Sequence, residues 1–145
     1  MYSKVKIGFL STVLLAVVGL GYFCFEYYNA LTNITKSETD LYLNSENLVH
    51  TFRSNEVFAN SIYVEKVIEI EGVIKEIVQQ NDRSTIVLQG NDEFSYVLCD
   101  MLKKEAAVIK DFKSGQKVYI KGICKGYLND VIMLNCIVVN PKTNE

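Results

Sequence analysis

The chain has 145 residues, with 15 Lys+Arg against 17 Asp+Glu, one His and no Trp. A formal net charge of −2 excludes a nucleic-acid binder that works through bulk positive charge. A single histidine and four cysteines leave little material for a metal centre.

Residues Ile7–Phe25 (IGFLSTVLLAVVGLGYFCF) form a run of 19 without a charged side chain. As a helix it would approach the roughly 30 Å of a bilayer core. Lys4 and Lys6 precede the run and Glu26 follows it. Positive charge is held on the cytoplasmic side, so the prediction is a cytoplasmic tail 1–6, a transmembrane signal-anchor helix 7–25, and everything beyond in the periplasmic or extracytoplasmic space. Tyr22, Phe23, Phe25, Tyr27 and Tyr28 cluster at the far end, where aromatic rings suit the headgroup zone. The competing readings are a cleaved secretory signal, with Gly19 and Gly21 before the cut, a lipid-modified Cys24, and a buried helix. The apolar run is longer than a signal core requires, bulky rings stand where small residues are needed, and no polar stripe interrupts it.

Residues 26–44 are polar and read as a spacer, leaving 45–145 as one small domain with a helical N-terminal extension. Ser45 is the expected cap of a first helix, with Leu48, Val49 and Phe52 on its apolar face. A second short helix is expected from Asn55 to Ser61, grouping Val57, Phe58 and Ile62. From Val67 the apolar period becomes two: Ile68 and Ile70 alternate with Glu69 and Glu71, which read as a solvated strand face. Gly72 marks a bend in this first strand, which continues through Ile77. Gln79–Ser84 reads as a turn, Thr85–Gln89 as a second strand and Glu93–Cys99 as a third. Asp100 is the expected cap of a helix running to about Phe112. Lys117–Cys124 and Val131–Val139 are the fourth and fifth strands, joined by a loop Lys125–Asp130.

Three strands, a helix and two strands make a mainly β domain. The predicted fold is a five-stranded OB-fold barrel with a helix between strands 3 and 4, preceded by short helices and the N-terminal transmembrane helix. An open α+β sheet is the alternative.

Two stretches carry a family likeness: Ala59–Ile74 (ANSIYVEKVIEIEGVI) and Gly115–Cys136 (GQKVYIKGICKGYLNDVIMLNC). Together they resemble the tRNA_anti-like group of OB-fold proteins, small bacterial domains, mostly from Bacteroidetes and often membrane- or lipid-anchored. The resemblance implies a fold and does not bring a tRNA ligand or catalytic residues with it.

Cys124 and Cys136 lie six positions either side of Asp130, so a hairpin centred there makes them inward-facing neighbours. They are candidates for a disulfide outside the cytoplasm; the alternative is two buried thiols filling the core. His50 sits in a helix and reads as a surface side chain. No phosphate loop, Ser-His-Asp set or metal-spaced cluster appears, so no catalysis, metal or cofactor is expected.

OB barrels bind through the face of strands two and three and through the loops joining strands one–two and four–five. The candidate contacts are Arg83, Val87, Gln89, Tyr96, Lys125 and Tyr127, with Tyr96 or Tyr127 as a stacking ring beside Arg83 or Lys125. The alternative for Tyr127 is packing on its own hairpin. Charge is asymmetric: residues 26–100 carry 5 basic and 13 acidic side chains, whereas 103–125 carry seven lysines against Glu105 and Asp111. The expected function is a membrane-anchored extracytoplasmic binding module for a protein or envelope component. The alternative is single-stranded nucleic-acid binding, in part through the 103–125 region.

Overall fold

The computed structural model describes residues 13, 15–25 and 34–140. The chain divides into two compact units, Met1–Asn33 and Ile34–Glu145. In the first, residues 13 and 15–25 are helical and their large apolar side chains are exposed, Leu15 and Phe23 among them. No helix among the described residues is long and apolar enough to cross a membrane. The predicted tail 1–6, the first third of the predicted span and residues 26–33 of the predicted spacer lie outside the described residues.

The second unit is a closed barrel. Its elements are β1 (Leu41–Asn44), α1 (Ser45–Ser54), α2 (Glu56–Tyr63), β2 (Val67–Gln80), β3 (Arg83–Gln89) and β4 (Tyr96–Met101). A 3₁₀ turn (Lys103–Glu105) and a single helical turn α3 (Ala106–Ile109) follow, then β5 (Lys117–Leu128) and β6 (Asp130–Val138). Antiparallel pairs β2–β3, β3–β4, β2–β5 and β5–β6 are closed by a parallel β4–β6 pairing. The short β1 adds parallel to the first half of β2.

β2 is long because it serves two sheets. Val67–Val73 pair with β5 and Ile74–Gln80 with β3, with a bulge between Ile74 and Glu76 at the changeover. Gly72 stands just before it for lack of room: a Cβ there would lie 2.8 Å from Ser45 Oγ and 2.9 Å from Leu88 Cδ1. The missing side chain lets α1 sit down on the barrel wall.

The sequence places the helical cap one residue late. Asn44 caps α1, its side chain accepting from Asn47 N at 2.7 Å. Ser45 Oγ instead donates to the Gln89 carbonyl at 2.6 Å, tying α1 to β3. In α2 the buried residues are Ala59 and Tyr63, whereas Val57 is 82% exposed and Phe58 is also exposed. Of the expected group Val57, Phe58 and Ile62, only Ile62 packs against the core. The predicted helix from Asp100 to Phe112 is likewise not found at that length. Asp100 and Met101 are still strand, and only the 3₁₀ turn and α3 follow.

The core joins both layers. Leu48, Val49 and Phe52 of α1 pack with Ile68, Ile70 and Ile74 of β2, Ile86 and Leu88 of β3, Val97 and Cys99 of β4, Ile120 of β5 and Met133 of β6. Burying each such side chain contributes about 1.5–3 kcal/mol.

Candidate functional site

The outer face of β2–β3–β4 follows from strand alternation. Ile77, Ile86 and Cys99 are aligned in one row, and Ile86 and Cys99 are fully buried. Their neighbours therefore face out in three rows: Val78–Thr85–Asp100, Glu76–Val87–Leu98 and Gln89–Tyr96. Arg83 stands opposite Gln80 at the open end. Four of the six predicted contacts, Arg83, Val87, Gln89 and Tyr96, are thus brought to one surface.

Their environments differ. Arg83 is exposed, its Nη1 3.9 Å from Asp100 Oδ2, and it lines a cleft of about 450 Å³ with Val78, Gln80, Asn81 and Thr85. Val87 is only 5% exposed, a floor between Glu76 and Leu98 rather than a protruding contact. Tyr96 is held on three sides. Its hydroxyl donates to the Glu93 carbonyl, its backbone N donates to Asp130 Oδ1 at 2.8 Å, and Lys75 Nζ lies 5.8 Å from the ring centre. That ammonium over a ring is a cation–π arrangement.

Lys125 and Tyr127 are elsewhere. Tyr127 stacks on Phe52 of α1, centroids 5.8 Å apart and planes 14° off parallel. Phe52 also meets Tyr63 at 5.8 Å, so Tyr127 is a packing residue of the helix–barrel interface. Lys125 Nζ donates to both Glu65 carboxylate oxygens, at 2.9 and 2.8 Å. The loop predicted to present them is absent: β5 and β6 pair to their ends, Leu128 with Asp130, around Asn129 at φ 70°. The predicted Gln79–Ser84 loop also shrinks, to Asn81 and Asp82 at φ 49° and 61°, a tight hairpin turn. Strand ends are set by this turn chemistry, which alternation alone does not locate.

Lys75, Leu98 and Asp100 belong to the face and were missed. The alternation of Tyr96, Leu98 and Asp100 was readable in the sequence, but the third strand was started too early. It starts late because Asp92 Oδ1 accepts from Phe94 N and Ser95 N, both at 2.9 Å, and so shapes a turn.

Lys104, Lys117, Lys121 and Lys125 of the lysine-rich segment are engaged within the barrel domain. Lys117 Nζ pairs with Glu71 at 2.5 Å, Lys125 pairs with Glu65, and Lys121 stands in register with Glu69. Lys104 donates to Thr35 Oγ1 at 2.6 Å. Glu69 with Lys121 and Glu71 with Lys117 are cross-strand neighbours of β2 and β5, where opposite charges stabilise a sheet. The Lys117 hydrogen bond holds the Glu71 carboxyl below its ordinary range, and the same contact raises Lys117. Glu69 departs from its predicted solvated setting. It is 8% exposed and accepts from Thr39 Oγ1 at 3.4 Å, beneath residues 34–40, and Lys121 donates to the Ser37 carbonyl beside it. Glu69 and Lys121 help line a second cleft of about 580 Å³ with Thr35, Thr39, Tyr42 and Ile137.

The cysteine expectation changes most. The hairpin turns at Asn129 rather than Asp130, and bulges intervene at Lys121/Ile123 and Cys124/Gly126. Cys124 consequently faces Met133, and Cys136 is aligned with Met101 of β4. Cys99, Cys124 and Cys136 are buried free thiols. Burial pushes the Cys124 thiol up to about 11. His50 is exposed, with its ring nitrogens 3.4 Å from Ser54 Oγ and from Asn91 Nδ2. No group of three or more His, Cys, Asp or Glu among the described residues is arranged to hold a metal ion.

The pattern of the tRNA_anti-like family matches residues 3–138. No curated protein matches the chain. Among solved structures, the chain is similar to a proposed nucleic acid-binding lipoprotein from Klebsiella pneumoniae. The two are 17% identical with a TM-score of 0.58, over 70% of this chain and 92% of that one. It also aligns with a proposed aspartyl-tRNA synthetase from Leishmania major, at 13% identity and a TM-score of 0.47, over 76% of this chain and 22% of that one. At these identities the first likeness shows a shared fold.

Proposed function

Since the chain belongs to the tRNA_anti-like family, we propose that it is a non-catalytic binding module that offers the outer face of β2–β3–β4 to a protein or another component of the cell envelope. One observation carries this choice of ligand class. Of the two cations of the face, Arg83 stands 3.9 Å from Asp100 and Lys75 lies over the Tyr96 ring, and Glu76 adds a second carboxylate to the same face. A phosphate backbone is followed by uncompensated cations, and each one neutralised by a carboxylate weakens that attraction. Balanced charge around apolar Val78, Val87 and Leu98 suits a neutral or mixed surface.

The same reading makes residues 7–25 a membrane anchor with the barrel on the extracytoplasmic side. Its support is the 19-residue uncharged run after Lys4 and Lys6, and the exposed apolar side chains of helical residues 15–25. In cells, the full chain should resist alkaline extraction from membranes, and its barrel should be cut by protease added from outside. Recovery in the soluble fraction would overturn the anchor.

A second reading, single-stranded nucleic acid, is favoured by the Lys75–Tyr96 pair, since a ring beside a cation is the usual platform for an unstacked base. The two readings separate in one experiment. In-cell crosslinking from a photoreactive residue at Gln89 should yield envelope protein adducts that Tyr96→Ala and Arg83→Glu abolish. Tight, steeply salt-dependent binding of oligonucleotides by the purified full chain, without such adducts, would replace the first reading by the second.

A further inference from the structure

We propose that Cys99 and Cys136, and not Cys124 and Cys136, form a disulfide when the chain folds in the presence of a small-molecule disulfide oxidant. The bond would lie inside the barrel and join β4 to β6. The Cys99 and Cys136 side chains are both fully buried in the one hydrophobic core. They sit on adjacent strands at successive aligned positions: Cys99 is aligned with Met133 and, two residues further along β4, Met101 with Cys136, with a bulge between the two pairs. Cys124 lies on the next strand with Met133 opposite it. Gly122 makes the arrangement fit, because a Cβ there would come within 2.5 Å of Cys136 Sγ. Its absence lets that sulfur occupy the seam.

The chemistry balances as two thiol–disulfide exchanges. One cysteine thiolate attacks a sulfur of oxidised glutathione, forming a mixed disulfide and releasing one glutathione. The second thiolate attacks the protein-side sulfur, forms the Cys99–Cys136 bond and releases the other glutathione. The two thiol protons end on the released glutathione thiolates. Burial and the neighbouring Cys99 thiol push the Cys136 pKa well above the ordinary thiol range, so the closed barrel disfavours the reactive thiolate. Exchange therefore belongs to folding, before β4 meets β6, and the finished bond is shielded from reductant. The parallel β4–β6 pairing is the one that closes the barrel, so the cross-link would fasten the closure only where the surroundings are oxidising. This inference stands apart from the ligand reading, because it needs an oxidant and no partner.

The test is a peptide map. The cysteines fall on separate tryptic peptides: 84–103 holds Cys99, 122–125 holds Cys124, 126–142 holds Cys136 and 7–36 holds Cys24. The full chain is refolded in mild detergent with oxidised and reduced glutathione, its free thiols are alkylated, and it is digested without reduction. Peptides 84–103 and 126–142 should appear joined, with 122–125 alkylated. Cys124→Ala should keep the link and Cys99→Ala should lose it. The oxidised chain should melt roughly 5–15 °C above the reduced one. A link between 122–125 and 126–142, a link through 7–36, or full alkylation of all four cysteines would overturn the proposal.

Discussion

At the scale of single residues, the positions that matter most are those where two elements approach closely. Gly72→Ala should destabilise the barrel by about 1–3 kcal/mol, because the new methyl would meet Ser45 Oγ at 2.8 Å. Ser45→Ala alone should cost about 1–2 kcal/mol by removing the hydrogen bond to the Gln89 carbonyl. The double variant should cost less than the sum of the two, and urea midpoints of the four proteins measure that coupling. Cys124 sets an alkaline limit. Its thiol keeps its proton to about 11 in the fold but releases it near 9.0 when unfolded. This contribution is complete below the unfolded value and is lost as pH rises from about 9 to 11, roughly 2–3 kcal/mol in all. Urea unfolding at intervals across that window should fall less steeply for Cys124→Ala than for the native chain, the remaining slope coming from Cys136.

At the scale of elements, turns and cross-strand charges decide the register. Asn81 and Asp82 both hold positive φ, which glycine adopts more readily than aspartate. Asp82→Gly should therefore be neutral to stabilising by up to about 1 kcal/mol, while Asp82→Val should destabilise, read from thermal midpoints. The β2–β5 ladder uses Glu71 and Lys117 as a diagonal pair. The Glu71 pKa is lowered, so its contribution is present above 4.5 and fades as pH drops through the folded value. The Lys117 pKa is raised, so its contribution is present below 10.5 and fades above the folded value. Both side chains are solvent-exposed, so the effect is small and salt-sensitive. Lys117→Met should flatten the acid limb of the pH–stability curve in low salt and leave it unchanged in high salt.

At the scale of the whole molecule, Phe52 joins the helical layer to the barrel, touching Tyr63 of α2 and Tyr127 of β5. Phe52→Ala should cost about 3–5 kcal/mol, among the larger single losses, and Tyr127→Ala should also destabilise. Tyr96→Ala should leave the melting temperature within a few degrees of the native value while removing the ligand, since its ring lies on the outer face. Circular dichroism of the full chain separates these classes: a residue of the packed interface moves the melting curve, and a residue of the proposed binding face moves only the crosslinking yield.

The sequence by itself determined the number and order of the barrel strands, the presence of two short helices before them, and the family. These rest on local properties, the period-two runs from Val67, Thr85, Lys117 and Val131 and the capping residues near Asn44 and Asn55. That Arg83, Val87, Gln89 and Tyr96 share one strand face was also readable, because parity within a strand is local. Only the tertiary structure decided the rest. One bulge moved Cys124 opposite Met133, another set Cys136 in line with Met101 of β4, and stacking on Phe52 holds Tyr127 half-buried at the helix–barrel interface. Bulges and close approaches depend on what lies across the barrel, and a chain read in order carries no record of its neighbours. The lysines of 103–125 show the same limit: in sequence they are one basic patch, whereas in space Lys117 and Lys125 pair with Glu71 and Glu65 and Lys121 stands in register with Glu69.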